Sequence, residues 1–449
     1  MKKTLAIMAL AASFATSFGV SALDLVSYRE DGEAGTYDSH TFTPSASGEY
    51  VFYYNPDPAT ITGEAKGGPF LANMQSETVQ RVGYLPGTSN IPSNTMYAHF
   101  MTSNKRFYIM QSYDPLPDMP AIDGYSHAQY LYDSVDDEYT PIGVDFNGQH
   151  QTTTGSQVSE DGKFVFFMSN QPIMAEYPAL YDKELYMLEV ATGEYTLISK
   201  HLDGSPFDRS PSTMGGRSRF VTGDGRYAVF TSTEENVLPD QGVSSIASNI
   251  FLYDRETDSL SVQNKSASGD VSNAEFSQST ISINGQYIAV ISNDATLSDD
   301  RPENVRTSFG LLRLDRSDQS WTYLSVTNNG ETSGNYSALT PSISADGKYI
   351  AFLSYTTDYT DIDSKRVQQA YVVNAETRDI AMASVSDVTG LAATKNVLST
   401  NISDNGEYVF FSTLDNQMII GGTDFNERQV YRWKNTLGND YEEPVLCEI

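Results

Sequence analysis

The sequence predicts an all-β chain: a seven-bladed β-propeller of four-stranded antiparallel blades, closed by a terminal strand exchange. Three observations carry this expectation. The 449 residues are 39% apolar and only 19% charged, a globular composition. Aromatic residues reach 12%, with 29 Tyr and 21 Phe, which favours sheet over helix. One short phrase, Ser-x-Asp-Gly-Lys-Tyr followed by an apolar run, recurs along almost the whole chain.

The clearest copy is Ser344-Ala345-Asp346-Gly347-Lys348-Tyr349-Ile350-Ala351-Phe352, and Ser159 to Phe167 matches it. The turn glycines stand at 48, 162, 225, 285, 347 and 406. Their steps are 114, 63, 60, 62 and 59. The first step spans two repeats, because Ser103-Asn104-Lys105-Arg106-Phe107 is a copy that lacks the glycine. Asp-Gly or Asn-Gly between apolar runs predicts a tight hairpin, read here as a type I′ turn with positive φ at both central residues. The run that follows, such as Tyr349 to Leu353, is apolar at nearly every position, as a strand buried on both faces requires.

A third strand follows about fifteen to twenty residues later: Glu184 to Val190, Asn249 to Asp254, Phe309 to Asp315, Gln369 to Val373 and Gln429 to Trp433. A polar turn and a fourth, more polar strand complete the unit, as at Glu194 to Ser199, Leu260 to Gln263 and Trp321 to Val326. Four antiparallel strands repeated radially make a propeller. The segments between second and third strands are long and polar (56–66, 114–126, 293–306, 356–367), the places where propellers vary and bind.

The ends are read separately. Lys2 and Lys3, the apolar stretch Leu5 to Val20, and Val20-Ser21-Ala22 form a secretory signal with a cut after Ala22. Residues 1–22 are then the signal peptide and 23–449 a single propeller domain, periplasmic or secreted from a Gram-negative type of cell. Leu25 to Arg29 aligns with a fourth strand, and the last repeat has only three, so the N-terminal strand is expected to pair with Gln429 to Trp433. Pro444 to Ile449 competes for the same slot.

The Ser-x-Asp-Gly-Lys/Arg-Tyr phrase resembles the PD40 repeat, the WD40-like unit of TolB-like and prolyl oligopeptidase propellers. The resemblance covers nearly the whole expected mature chain and implies an exported propeller without an attached enzyme domain. The motif residues are turn and core residues, so the resemblance speaks to fold.

Chemistry is harder to find. A net charge of −30, from 58 acids and 28 bases, opposes binding to nucleic acid or anionic lipid. One cysteine excludes a disulfide framework, a cysteine zinc site and a dithiol pair. No Gly-x-Ser-x-Gly elbow or His-x-His pair occurs, so no catalytic residue is assigned. His99 and His150 fall in or near innermost strands and are candidate channel residues. Channel histidines hold a metal in the oligogalacturonate lyases this fold resembles. Asp358, Asp361 and Asp363 form an acidic loop that suits calcium by ligand type but lacks an EF-hand spacing. Tyr355, Tyr359 and Phe207 are candidate loop anchors for a partner or a sugar. The reading favoured by this inventory is a non-enzymatic scaffold that holds a protein or peptide partner on one face through its long loops, without a cofactor or a membrane span. The alternatives are a polysaccharide lyase or hydrolase at the channel mouth and a carbohydrate-binding module.

Overall fold

The computed structural model describes residues 23–437 apart from 31–33, 35–38, 40, 57–59, 61–66, 85–95, 114, 123–126, 181, 214–217, 240–242, 244–247, 267, 295, 303–308, 328–335 and 420–426. Its 27 strands fall into seven antiparallel sheets arranged as a seven-bladed propeller, with no α-helix among the described residues. Blade 1 is β2 to β5 (Phe42–Pro44, Tyr50–Asn55, Gly68–Asn73, Thr78–Arg81) and blade 2 is β6 to β9 (Tyr97–Met101, Phe107–Ser112, Ala128–Asp133, Glu138–Ile142). Blade 3 is β10 to β13 (Thr154–Val158, Phe164–Ser169, Glu184–Glu189, Glu194–Leu197). Blade 4 has β14 to β16 (Tyr227–Ser232, Asn249–Asp254, Ser259–Val262). Its fourth, innermost place is taken by an irregular segment held through the Ser212–Thr231 and Val221–Ala228 bridges. Blade 5 is β17 to β20 (Phe276–Ile281, Tyr287–Ser292, Gly310–Asp315, Ser320–Tyr323) and blade 6 is β21 to β24 (Ala338–Ile343, Tyr349–Ser354, Gln369–Asn374, Ile380–Met382). Blade 7 is β25 to β27 (Val397–Ile402, Tyr408–Thr413, Gln429–Lys434) plus β1 (Leu23–Leu25).

The ring closes as the sequence implies, with a shift of two residues. Leu23 pairs with Trp433 and Leu25 with Tyr431, and the Val26 amide continues the ladder to Val430 O. Arg432 fixes the register by binding Asp24 through Nε at 2.9 Å. The competing segment 444–449 lies outside the described residues.

The turn differs from the expected type. Only the glycine of each Asp-Gly or Asn-Gly pair has positive φ, from 64° at Gly225 to 76° at Gly162 and Gly285, while the preceding Asp or Asn does not. Gly162 N bonds Ser159 O at 2.9 Å, a turn whose left-handed residue comes last, not a two-residue type I′ loop. The first Ser explains why. Ser159 Oγ accepts the Phe164 amide at 3.1 Å and donates to Asp161 Oδ1, which in turn accepts the Lys163 amide. The side chain thus stands in for the backbone bond that a four-residue loop leaves open. The same set recurs at Thr222, Ser282, Ser344 and Ser403, and Thr102 holds it in the glycine-free copy.

These turns also pack the blades. Each turn glycine lies against the aromatic ring that opens the strand after the corresponding turn in the preceding blade: Gly162 on Phe107, Gly225 on Phe164, Gly285 on Tyr227, Gly347 on Tyr287, Gly406 on Tyr349 and Gly48 on Tyr408. In four wedges an arginine covers the same ring and donates to the glycine carbonyl: Arg432 at Gly48, Arg255 at Gly225, Arg316 at Gly285 and Arg313 at Gly347. The remaining wedge, between blades 1 and 2, inverts the arrangement. Lys105 replaces the glycine, takes φ 64°, and places its own ammonium 3.4 Å from the Tyr50 ring centroid.

Candidate functional site

With the four strands of each blade lettered a to d from the axis outward, the a–b turns converge on the axis and close the channel there. Arg219, from the inner segment of blade 4, donates to Ser103 Oγ of blade 2 at 2.9 Å. It also approaches Glu160 of blade 3 at 3.4 Å and Asp404 of blade 7 at 3.6 Å. Ser103 Oγ donates to the same Asp404 carboxylate. Among the described residues a void of about 30 Å³, the space of one water, lies along the axis between Thr43, Phe100, Gln157, Ser342 and Asn401.

Surface apolar groups lie elsewhere. After the outer strand of a blade, the chain makes a small hairpin before crossing to the next inner strand. A second turn glycine builds it: Gly148, Gly204, Gly269 and Gly390 all have positive φ and each bonds back to a carbonyl three or four residues earlier. The hairpin packs against the outer strand or turn of the next blade. Val144 N donates to Tyr195 Oη at 2.9 Å, Lys200 pairs with Asp258 at 2.7 Å, and Trp321 Nε1 donates to Lys265 O at 2.8 Å. The tips then protrude at the circumference. Phe146, Leu202, Val388 and Leu391 are exposed there, Leu202 to 75%. Tyr336 lies on the corresponding connection between blades 5 and 6, and Tyr113 on the b–c connection of blade 2. Among the described residues, Val135 is the one remaining large exposed apolar side chain, and it sits on a c–d turn at the opposite end of the strands.

Cavities flank two of these tips. One of about 620 Å³ lies under Phe146, walled by Pro141, Ile173, Met174 and Tyr195. Two of about 590 and 380 Å³ lie on either side of Leu202. The larger is acidic, with Asp203, Asp208, Glu234 and Glu235 against His201 and Arg209. The Ser205 hydroxyl and amide hold the Asp203 carboxyl below its usual range. Behind this wall Glu184 is fully buried, and burial raises its pKa to about 8 despite a short bond from Ser199 Oγ; Glu234, Asp182 and Asp208 add to the rise.

A groove of about 550 Å³ between blades 1 and 2 is different in kind. Tyr50, Tyr84, Tyr108, Tyr132 and Lys105 line it, with Arg81, and among the described residues no carboxylate does. It is the wedge in which lysine replaced glycine.

The residues singled out in the sequence do not assemble. His99 lies on β6, the innermost strand of blade 2, at a bulge between Ala98 and Phe100. His150 lies instead in the connection to blade 3, fully buried, with Nε2 near Ile142 O at 2.9 Å and Gln129 O at 3.1 Å. Burial lowers its pKa to about 4, so it is neutral. Asp361 and Asp363 are exposed and Asp358 half-buried, and Asp363 Oδ1 accepts the Lys365 amide. Among the described residues no group of three or more His, Cys, Asp or Glu side chains is placed to hold a metal ion. Tyr359 and Phe207, expected as exposed anchors, are fully buried; each packs on the aromatic pair of its blade, Phe352–Tyr371 and Phe230–Phe251. No helix among the described residues is long and apolar enough to cross a membrane.

No family model matches the chain, and no curated protein matches it by sequence. Solved structures do. TolB from Acinetobacter baumannii aligns over 88% of this chain and 78% of its own at 13% identity, with a TM-score of 0.39. The β-propeller domain of Cps50 (Swd1) from Myceliophteria thermophila aligns over 92% and 100% at 10% identity, with a TM-score of 0.46. A prolyl endopeptidase aligns over 84% of this chain at 11% identity and a TM-score of 0.49; the match spans 46% of that chain. The fold assignment stands on the strand order itself.

Sequence reasoning missed the rim hairpins, although a signal exists: Phe146-Asn147-Gly148, Leu202-Asp203-Gly204 and Val388-Thr389-Gly390 repeat an apolar residue two places before a glycine. Arg219 carries no such signal, because its partners come from three other blades.

Proposed function

We propose that this chain is an exported, non-enzymatic propeller scaffold that binds a protein or peptide partner through the hairpin tips and loops at one end of its strands. The supporting observation is the segregation of surface apolar groups: among the described residues, six of the seven exposed large apolar side chains occupy b–c or d–a connections. Apolar tips on an acidic surface suit a partner that offers apolar pockets rimmed by neutral or basic groups. The sequence reading of residues 1–22 as an export signal supports an encounter outside the cytoplasm. A photo-crosslinking residue placed at Leu202 or Val388 in the source cell should give a discrete adduct. The same probe at Val135 should not, and equal adducts at all three positions would overturn the assignment of the face.

A saccharide reading is favoured by the groove between blades 1 and 2, where four tyrosines and Lys105 meet without a lining carboxylate. Tyrosine faces and hydroxyls suit the two-sided chemistry of a sugar ring. Titration with neutral and uronic-acid trisaccharides, observed by NMR, tests this; Tyr132→Ala should weaken any binding seen, and binding unaffected by it would remove the groove from consideration.

A further inference from the structure

The expected cut after Ala22 makes Leu23 the first residue of the mature chain. In the structure Leu23 is buried and begins the closing strand, opposite Trp433. Its backbone nitrogen donates to Asp387 Oδ2 at 3.2 Å. We propose that the Leu23 α-ammonium is an ion-pair partner of Asp387, so that removal of the signal peptide completes the closure of the ring. This rests on the export reading above.

In the uncut chain Leu23 N is a peptide amide with one hydrogen and no charge. Hydrolysis of the Ala22–Leu23 bond adds water: the hydroxyl goes to the Ala22 carboxyl, and the nitrogen, protonated below pH 8, becomes an ammonium with three donors. A charge-assisted hydrogen bond is roughly twice as strong as a neutral one. The acceptor is already in place. Asp387 N bonds Met418 O at 2.9 Å and Ser386 Oγ bonds Gln417 O at 2.5 Å, which anchor the 386–391 hairpin to blade 7. Asp24, the next residue, is engaged by Arg432. The position also makes mechanical sense. Asp387 belongs to the hairpin that leaves blade 6, while Leu23 lies on the outermost strand of blade 7. The pair therefore bonds the closing strand to the neighbouring blade, as Lys200–Asp258 does between the blade 3 hairpin and blade 4. There the hairpin supplies the cation and the next blade the acid; at the seam the hairpin supplies the acid, and the outer strand has the chain's own amine available.

The test uses the exported protein. Intact mass reports the first residue, and a start other than Leu23 overturns both the cut and the pair. With Leu23 confirmed, the rate of amine acylation at neutral pH is followed on the N-terminal peptide by mass spectrometry. Asp387→Asn should speed labelling on the order of tenfold, the equivalent of one pKa unit. Asp387→Ser serves as the second variant, and Asp387→Glu should retain part of the protection. Equal labelling in wild type and both neutral variants, in folded protein, would sink the pair while leaving the export reading intact.

Discussion

Residue by residue, the fold depends on positions where a single atom more would not fit. Gly347 has φ 69°, and a methyl group there would come within 2.2 Å of the Tyr287 ring. Gly193 has φ 73° with nothing within 4 Å of the same hypothetical methyl. Gly193→Ala should therefore show only the left-handed penalty of about 1–2 kcal/mol. Gly347→Ala should add an overpacking loss of about 1–3 kcal/mol. Denaturant unfolding of the two variants checks the order; equal losses would mean the wedge relaxes freely. Glu184 offers a second test. It occupies the place that Gln369 and Gln429 fill in blades 6 and 7, each accepting a serine hydroxyl from the outer strand (Ser384 and Ser27). A neutral acid reproduces that bond, and a carboxylate does not lose its water there without penalty. Its folded pKa, about 8, lies above the ordinary 4.5. The folded chain then keeps a proton that the unfolded chain releases, so stability falls as pH rises from about 4.5 to 8. Glu184→Gln should flatten that part of the stability–pH curve, measured by denaturation midpoints between pH 5 and 9, and an unchanged slope would place the titration elsewhere.

Strands and hairpins show why the seam matters. Each internal blade receives its outer strand from the same stretch of chain, by a short turn. Blade 7 receives it from residues almost the whole sequence away, through Leu23–Trp433, Leu25–Tyr431 and the Ser27–Gln429 hydroxyl bond. Without β1, the edge of β27 faces water and blade 7 keeps three strands. Deleting residues 23–30 should lower the melting temperature more than deleting 441–449; the reverse order in calorimetry would reassign the closing strand.

Across the whole molecule, one arginine links blades that never touch in sequence. Arg219 and its partners Glu160 and Asp404 are each largely shielded, with 14%, 20% and 16% of their side chains exposed. Removing one partner from such a group leaves carboxylates without compensation, which costs about 3–5 kcal/mol when burial is complete and less at this exposure. Arg219→Ala should lower the melting temperature measurably, and Arg219→Lys should restore only part, because a lysine cannot bridge Ser103 and two carboxylates with a planar fork. Full recovery with lysine would show that charge alone is needed. The net charge of −30 acts at the same scale. It should prevent retention on heparin or nucleic-acid resin at low salt; retention would reveal a basic face.

The blade count, the turn positions and the closing strand were legible because they are local or periodic: a glycine every 60 residues or so, an apolar run after it, and an unmatched strand at each end of the repeat series. The turn type was not, since the serine hydroxyl that replaces a backbone bond reads in sequence as one more polar residue. Burial of Phe207 and Tyr359 was hidden for the opposite reason. Both sit in loops, and only the folded loop shows that it turns back onto its own blade. The closed axis and the Leu23–Asp387 contact belong to tertiary structure alone. Each joins residues from different blades, and in a propeller it is the rotation from one blade to the next that brings such residues together.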